Sequence, residues 1–136
     1  MPEDLTDALQ HARGAEKEHA LFYRALAAAA EASGNAALGE RFNELHADEQ
    51  HHLSRLTARL LELGAAPADL STASADAGEL GGWEDEARRR ELAEVARYEA
   101  ILETGGADAR TEALLREILD TERHHAAELG GKWTAA

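Results

Sequence analysis

Leu5, Leu9, Ala12, Glu16, His19, Tyr23, Leu26 and Ala30 follow one another at alternating steps of four and three. That rhythm puts them on one face of an α-helix and on no single face of a strand. It recurs in Leu38, Phe42, Leu45, Glu49, His52, Leu56 and Leu63, with one step occupied by Arg59. Shorter versions run through Ala87, Glu91, Glu94, Tyr98 and Ile101, and through Leu115, Ile118, Glu122, His125 and Leu129. A stripe of this kind is buried against other helices. No stretch shows strand alternation, so the chain is expected to be all-α.

Glycine bounds the helical stretches. The first, residues 3–33, begins near Pro2 and ends at Gly34, and the second, 35–63, starts behind an Asn35 cap and ends at Gly64. The third runs from Trp83 to Thr104 before Gly105–Gly106, and the fourth from a capping Asp108 to Leu129 before Gly130–Gly131. Short joins within each pair predict two antiparallel helical hairpins. Between them, residues 64–82 form a connection of small and polar residues that includes Pro67. That is longer than an ordinary helix–helix turn, and suits a crossover along the length of a bundle. A flexible linker that lets one hairpin swap between subunits is the competing use.

At 136 residues the chain is expected to form a single domain, residues 1–136. A formal net charge of −13 argues against a nucleic-acid or anionic-membrane partner. With no cysteine there is no disulfide, zinc ribbon, iron–sulfur cluster or thiol nucleophile to consider. The acidic, amphipathic start MPEDLTDALQ does not read as a signal peptide, and no apolar run has membrane-spanning length, so a cytoplasmic location is expected.

The acidic and imidazole groups within the stripes carry the functional reading. An ionised carboxylate on a core face costs several kcal/mol unless something compensates it. Glu49-x-x-His52 and Glu122-x-x-His125 are copies of one pattern, and Glu16-x-x-His19 is a third. Phe42, Leu45, Glu49, His51, His52 and Leu56 recur 73 positions later as Leu115, Ile118, Glu122, His124, His125 and Leu129, while Glu16 and Tyr23 recur 75 positions later as Glu91 and Tyr98. With 19 glutamates and seven histidines the tripeptide spacing alone is weak. The conjunction of seam placement, duplication and a glutamate on both remaining helices carries the assignment, against the alternative of solvated helix-face residues. Spacing i, i+3 sets Glu and His on one helix face. Two iron or manganese ions want carboxylate oxygens that can bridge and shift, plus one imidazole each, and the Glu49/His52 and Glu122/His125 pairs with a Glu from each of the other two helices make up such a set.

The stretches AEKEHALFYRALA, FNELHADEQHHLSRL, RRRELAEVARYEAI and LLREILDTERHHAAEL together resemble the ferritin-like superfamily, and within it the rubrerythrins, over nearly the whole chain. The resemblance implies a ferritin-like four-helix bundle of two antiparallel hairpins with one long crossover, binding two iron ions with manganese as the alternative. It implies that Glu16, Glu49, His52, Glu91, Glu122 and His125 match the metal ligands, and that Glu94 matches a further glutamate whose ligation changes with redox state. The implied activity is reduction of hydrogen peroxide, with dioxygen the other candidate oxidant. Rubrerythrins typically carry a cysteine-built rubredoxin-like iron site that this chain lacks, so electrons are expected from a separate donor protein. A homodimer is expected. An iron-oxidising storage or detoxifying protein is the alternative, and LLELGAAPADL is similar to bacterioferritin in this respect. A metal-free helical interaction module is the third reading.

Several residues carry open readings. The hydroxyls of Tyr23 and Tyr98 are candidate proton relays, or core groups bonded to a ligand carboxylate. His19, where the family usually has a small residue, is an extra ligand, a hydrogen-bond partner of a ligand, or a buried neutral imidazole. His51 and His124 lie one step off the seam and read as helix-surface groups or neighbours of the ligands, while His11 and His46 read as solvated. Arg88–Arg90 marks an exposed face with acidic neighbours, Trp83 and Trp133 suit a bundle end or a subunit contact, and Ala27–Ala30 suits close helix approach.

Overall fold

The computed structural model describes residues 4–75 and 80–129. Pro2, residues 76–79 of the connection, the Gly130–Gly131 stop and Trp133 lie outside the described residues. Four helices follow one another, α1 (Leu5–Ala32), α2 (Ala36–Glu62), α3 (Trp83–Thr104) and α4 (Ala109–Glu128). There is no strand among the described residues, and no helix there is long and apolar enough to cross a membrane.

Helix ends are set by local hydrogen bonds. At the end of α1 the Gly34 N–H donates to Glu31 O at 3.1 Å and the Asn35 N–H to Ala30 O at 2.9 Å. This double closure needs a left-handed residue, which Gly34 supplies at φ +82°. Asn35 then starts the next helix, its Oδ1 accepting from Leu38 N at 3.2 Å, so three residues turn the chain from α1 into α2. Gly64 repeats the closure on α2, with Ala65 N donating to Leu60 O at 2.9 Å. Asp108 caps α4 by accepting from Thr111 N at 3.4 Å and from Thr111 Oγ1 at 2.5 Å.

The chain groups into two compact units, Arg13–Trp83 and the combination of Met1–Ala12 with Glu84–Ala136. In the Arg13–Trp83 unit, partners rise along α1 as they fall along α2: Arg13 bonds Thr57, Ala20 O accepts from His46, and Arg24 bonds Asn43. These are the contacts of antiparallel neighbours. Phe22, Tyr23, Leu26, Phe42, Leu45, Leu56 and Leu60 are buried in the stripe, each worth about 2 kcal/mol of apolar burial.

The connection after α2 stays with this unit. Arg13 holds its start, donating to Ala68 O at 2.7 Å, and Leu70 lies beside Gly14. At its far end Trp83 meets Phe42 edge to face, ring centroids 4.7 Å apart. Phe42 precedes the end of α2 by twenty residues, about 30 Å of helix. The far end of the connection therefore stands beside the early turns of α2.

In the other unit α3 and α4 are bridged by Arg123 Nη2 to Glu99 Oε2 at 2.9 Å, and Leu9, Ala87, Tyr98, Leu115 and Ile118 are buried. Arg89 and Arg90 both pair with Glu86 on an outward face, at 2.6 and 3.1 Å, as the arginine run suggested.

Two expectations need correction. Leu63, placed in the seam, is 37% exposed because it is the C-cap residue, where the backbone leaves the helix, and Leu60 takes the buried position. His46, read as solvated, is half-buried and donates from Nδ1 to Ala20 O at 2.8 Å. The small Ala20 side chain, itself buried, lets the imidazole reach the α1 main chain.

Candidate metal centre

Within the Arg13–Trp83 unit the stripes of α1 and α2 bring four functional side chains into the core. Glu16 and Glu49 are 0% exposed, His19 2% and His52 4%. His52 Nδ1 stands 3.5 Å from Glu16 Oε2, and His19 Nδ1 stands 3.2 Å from Glu49 Oε2. Glu16, Glu49 and His52 each offer a ligand atom within 4.8 Å of the others. The His19 ring stacks on Tyr23, centroids 4.7 Å apart and planes at 24°.

The second unit carries a matching set on α3 and α4. Glu91, Glu94, Glu122 and His125 are all buried. His125 Nδ1 lies 3.3 Å from Glu91 Oε1 and 3.9 Å from Glu122 Oε1. Glu94 is flanked by Arg97, with Nε 3.7 Å from its Oε1. Tyr98 is fully buried, as Tyr23 is in the other unit. Each unit thus gathers carboxylates from two helices together with at least one imidazole.

Two ionised carboxylates about 5 Å apart repel by about 3 kcal/mol even at an effective dielectric near 20, and a neutral imidazole does not offset that. A divalent cation does. The nitrogen–oxygen separations of 3.2, 3.3 and 3.5 Å also fit a cation. Bonds of about 2.1 Å place neighbouring ligand atoms about 3.0 Å apart in an octahedron and about 3.4 Å apart in a tetrahedron. Hydrogen bonds of this kind centre below 3.0 Å. Carboxylate oxygens and imidazole nitrogens are donors that divalent transition-metal ions accept. These buried Glu and His groups can hold a metal ion.

All of the candidate site residues singled out from the seams are buried: Glu16, Glu49, His52, Glu91, Glu94, Glu122, His125, Tyr23 and Tyr98. His51 and His124 point away from the core, His124 pairing with Glu128 at 2.5 Å. His19 is drawn into the carboxylate set through Glu49, a contact its own helix could not reveal. His46 and its bond to the α1 main chain were missed, although its place three residues before Glu49 on the flank of the stripe is a usable signal.

No protein-family model matches the chain, and none of the curated proteins matches its sequence.

Proposed function

We propose that the chain is a di-metal oxidoreductase of the rubrerythrin type that reduces hydrogen peroxide. The observation that carries this reading is the recurrence, in both units, of a buried carboxylate–imidazole set at equivalent positions of a sequence repeat. Together the sets contain Glu16, Glu49, Glu91, Glu122, His52 and His125, the four-carboxylate, two-histidine complement of di-iron helical bundles. The fold that goes with it is a ferritin-like bundle of two antiparallel hairpins and one long crossover. Iron is the proposed metal, manganese the alternative.

Bound iron would supply the one-electron steps that reduce peroxide to water. The protein's own residues do the rest. Each carboxylate can present one oxygen or two, so Glu16, Glu49, Glu91 and Glu122 adjust to a change of metal charge without moving the helices. Glu94, a further buried carboxylate, would offer additional negative charge to a bound metal. Tyr23 and Tyr98 are buried, and their hydroxyls are proposed to hold and pass the protons that peroxide reduction consumes. Apolar neighbours such as Leu26, Leu45, Leu56, Leu115 and Ile118 exclude bulk water and strengthen each of these interactions. Electrons are proposed to come from a separate donor protein. The working unit is proposed to be a homodimer.

The test is anaerobic loading with Fe(II), removal of unbound metal, and measurement of iron per chain, followed by peroxide consumption with a chemical reductant. About two iron ions per chain together with reductant-dependent peroxide turnover is the expected result. Net accumulation of iron mineral in a large closed shell would favour the storage reading instead. Less than one ion per chain would overturn the assignment.

A further inference from the structure

Arg13 and Lys17 lie one turn apart on α1, and Leu21 continues their face by another turn. With Leu53 of α2 and with Leu70 and Ser71 of the connection they line a cavity of about 380 Å³. A neighbouring cavity of about 520 Å³ shares Arg13, Lys17 and Leu53 and extends along α2 to Leu61. All of these residues belong to the Arg13–Trp83 unit. In a chain with 27 acidic residues, neither lining contains an aspartate or a glutamate. We propose that the smaller cavity is a binding site for an organic monocarboxylate with an apolar body, the class to which medium-chain fatty acids belong.

Arg13 is fixed in place without being neutralised. Its Nε donates to Thr57 Oγ1 at 2.7 Å and its Nη1 to Ala68 O at 2.7 Å, both uncharged acceptors. The Thr57 hydroxyl donates its own proton to Leu53 O at 2.8 Å, which leaves its lone pairs to the guanidinium. Neither Arg13 nor Lys17 meets a carboxylate among the described residues, and Nη2 of Arg13 has no acceptor there. Other arginines of the surface are paired, Arg24 with Glu31 and Arg116 with Glu112. Asp69, in the connection, accepts from Ser71 N at 2.9 Å and lines neither cavity. A cation held by neutral groups keeps its attraction for an anion and gives up little freedom on binding one.

The rest of the lining suits an apolar body. Leu21, Leu53 and Leu70 are each half-buried, so each keeps apolar surface that a ligand chain can cover. Small-molecule sites are concave, of about 300–1,000 Å³, with apolar walls and a few polar groups that fix orientation. A carboxylate set against Arg13 and Lys17 turns its tail to the leucines. None of these residues is a candidate metal ligand, so the inference stands independently of the di-metal reading.

Decanoate is the probe, titrated into the whole chain by calorimetry while leucine methyl resonances are followed by NMR. Saturable uptake of a single decanoate per chain is expected, with the largest methyl shifts at Leu21, Leu53 and Leu70. Hexanoate, with its shorter tail, is expected to bind at least about tenfold more weakly. Lys17→Met, which keeps the apolar stem and removes the charge, is expected to weaken decanoate binding about tenfold, and Arg13→Gln likewise. Arg24→Gln, at a paired surface arginine, is expected to leave it unchanged. Circular dichroism shows whether the variants are folded, and Lys17→Gln stands in should Lys17→Met not be. No saturable binding, methyl shifts confined to other leucines, or an affinity unchanged in both charge variants would overturn the proposal. Hexanoate bound as tightly as decanoate would reduce the site to an anion contact and overturn it too. Dimerisation that Lys17→Met abolishes, with no decanoate uptake by the wild type, would assign the face to a second copy of the chain instead.

Discussion

Trp83 meets Phe42 edge to face, their ring centroids 4.7 Å apart and their planes at 89°, across 41 residues of sequence. Phe42 is fully buried and Trp83 half-buried. The pair fastens the far end of the connection to the early turns of α2. Trp83→Ala removes that contact along with the apolar area of the indole, and is expected to cost about 2 kcal/mol. A melting temperature lowered by several degrees, with metal uptake by the folded protein retained, is the outcome to look for. An unchanged melting temperature would mean that the connection is not fastened there.

Buried carboxylates work against the metal-free fold. Glu122 is 0% exposed beside Glu91 and His125, so Glu122→Leu relieves both repulsion and lost hydration. The metal-free variant is expected to be more stable than the wild type by about 1–3 kcal/mol. With Fe(II) or Mn(II) at about a thousand times the dissociation constant the order reverses, because the wild type gains about 4.1 kcal/mol that the variant lacks. Thermal melts with and without metal test both halves. A variant that is less stable without metal would show that Glu122 serves the fold and not a cation.

Asp108 accepts from Thr111 through both its backbone N–H and its hydroxyl, closing the first turn of α4. Asp108→Ala strips both donors of the buried Thr111 of their acceptor and is expected to cost at least about 1 kcal/mol. Urea unfolding reads this directly, as a lower midpoint at an unchanged slope. Asp108→Asn, which keeps an acceptor, is expected to recover most of the loss.

Glu86 has its pKa held below the ordinary 4.5, first by the Arg89 hydrogen bond and then by the charges of Arg89 and Arg90, which outweigh its partial burial. A carboxylate whose folded value is depressed adds stability above its unfolded pKa and loses it as pH falls through the folded value. At 37% side-chain exposure the pair is screened by solvent, so its contribution stays below about 1 kcal/mol. Glu86→Gln is expected to be slightly less stable than the wild type at neutral pH and equal to it in strong acid. A difference that persists in acid would assign the effect to packing.

The helix boundaries were the most legible part of the chain, because capping is local chemistry. Asn35, Gly34 and Gly64 act within a few residues of themselves, and α2 and α3 fall within one residue of the stretches read from sequence. The edge of each buried stripe was less legible. Steps of four and three average 3.5 residues per turn against the helix's 3.6, so the buried face drifts along a helix as long as α1 or α2. Phe22 and Leu60 are buried for that reason, although neither lies on the strict rhythm. The carboxylate and imidazole positions were readable because they sit in the middle of the stripes. The partner of His19 was not, since Glu49 lies thirty residues away and only the packing of α2 on α1 brings the two together.

The α1–α2 contacts are nested: Arg24–Asn43 spans 19 residues, Ala20–His46 spans 26, and Arg13–Thr57 spans 44. Such a ladder can zip outward from the Gly34 turn, each rung closing only a short additional loop, which is the route of least entropic cost and high folding speed. Glu16, His19, Glu49 and His52 fall on the middle rungs. Every rung lies within the first 57 residues, so α1 and α2 can pair while α3 and α4 are still being made.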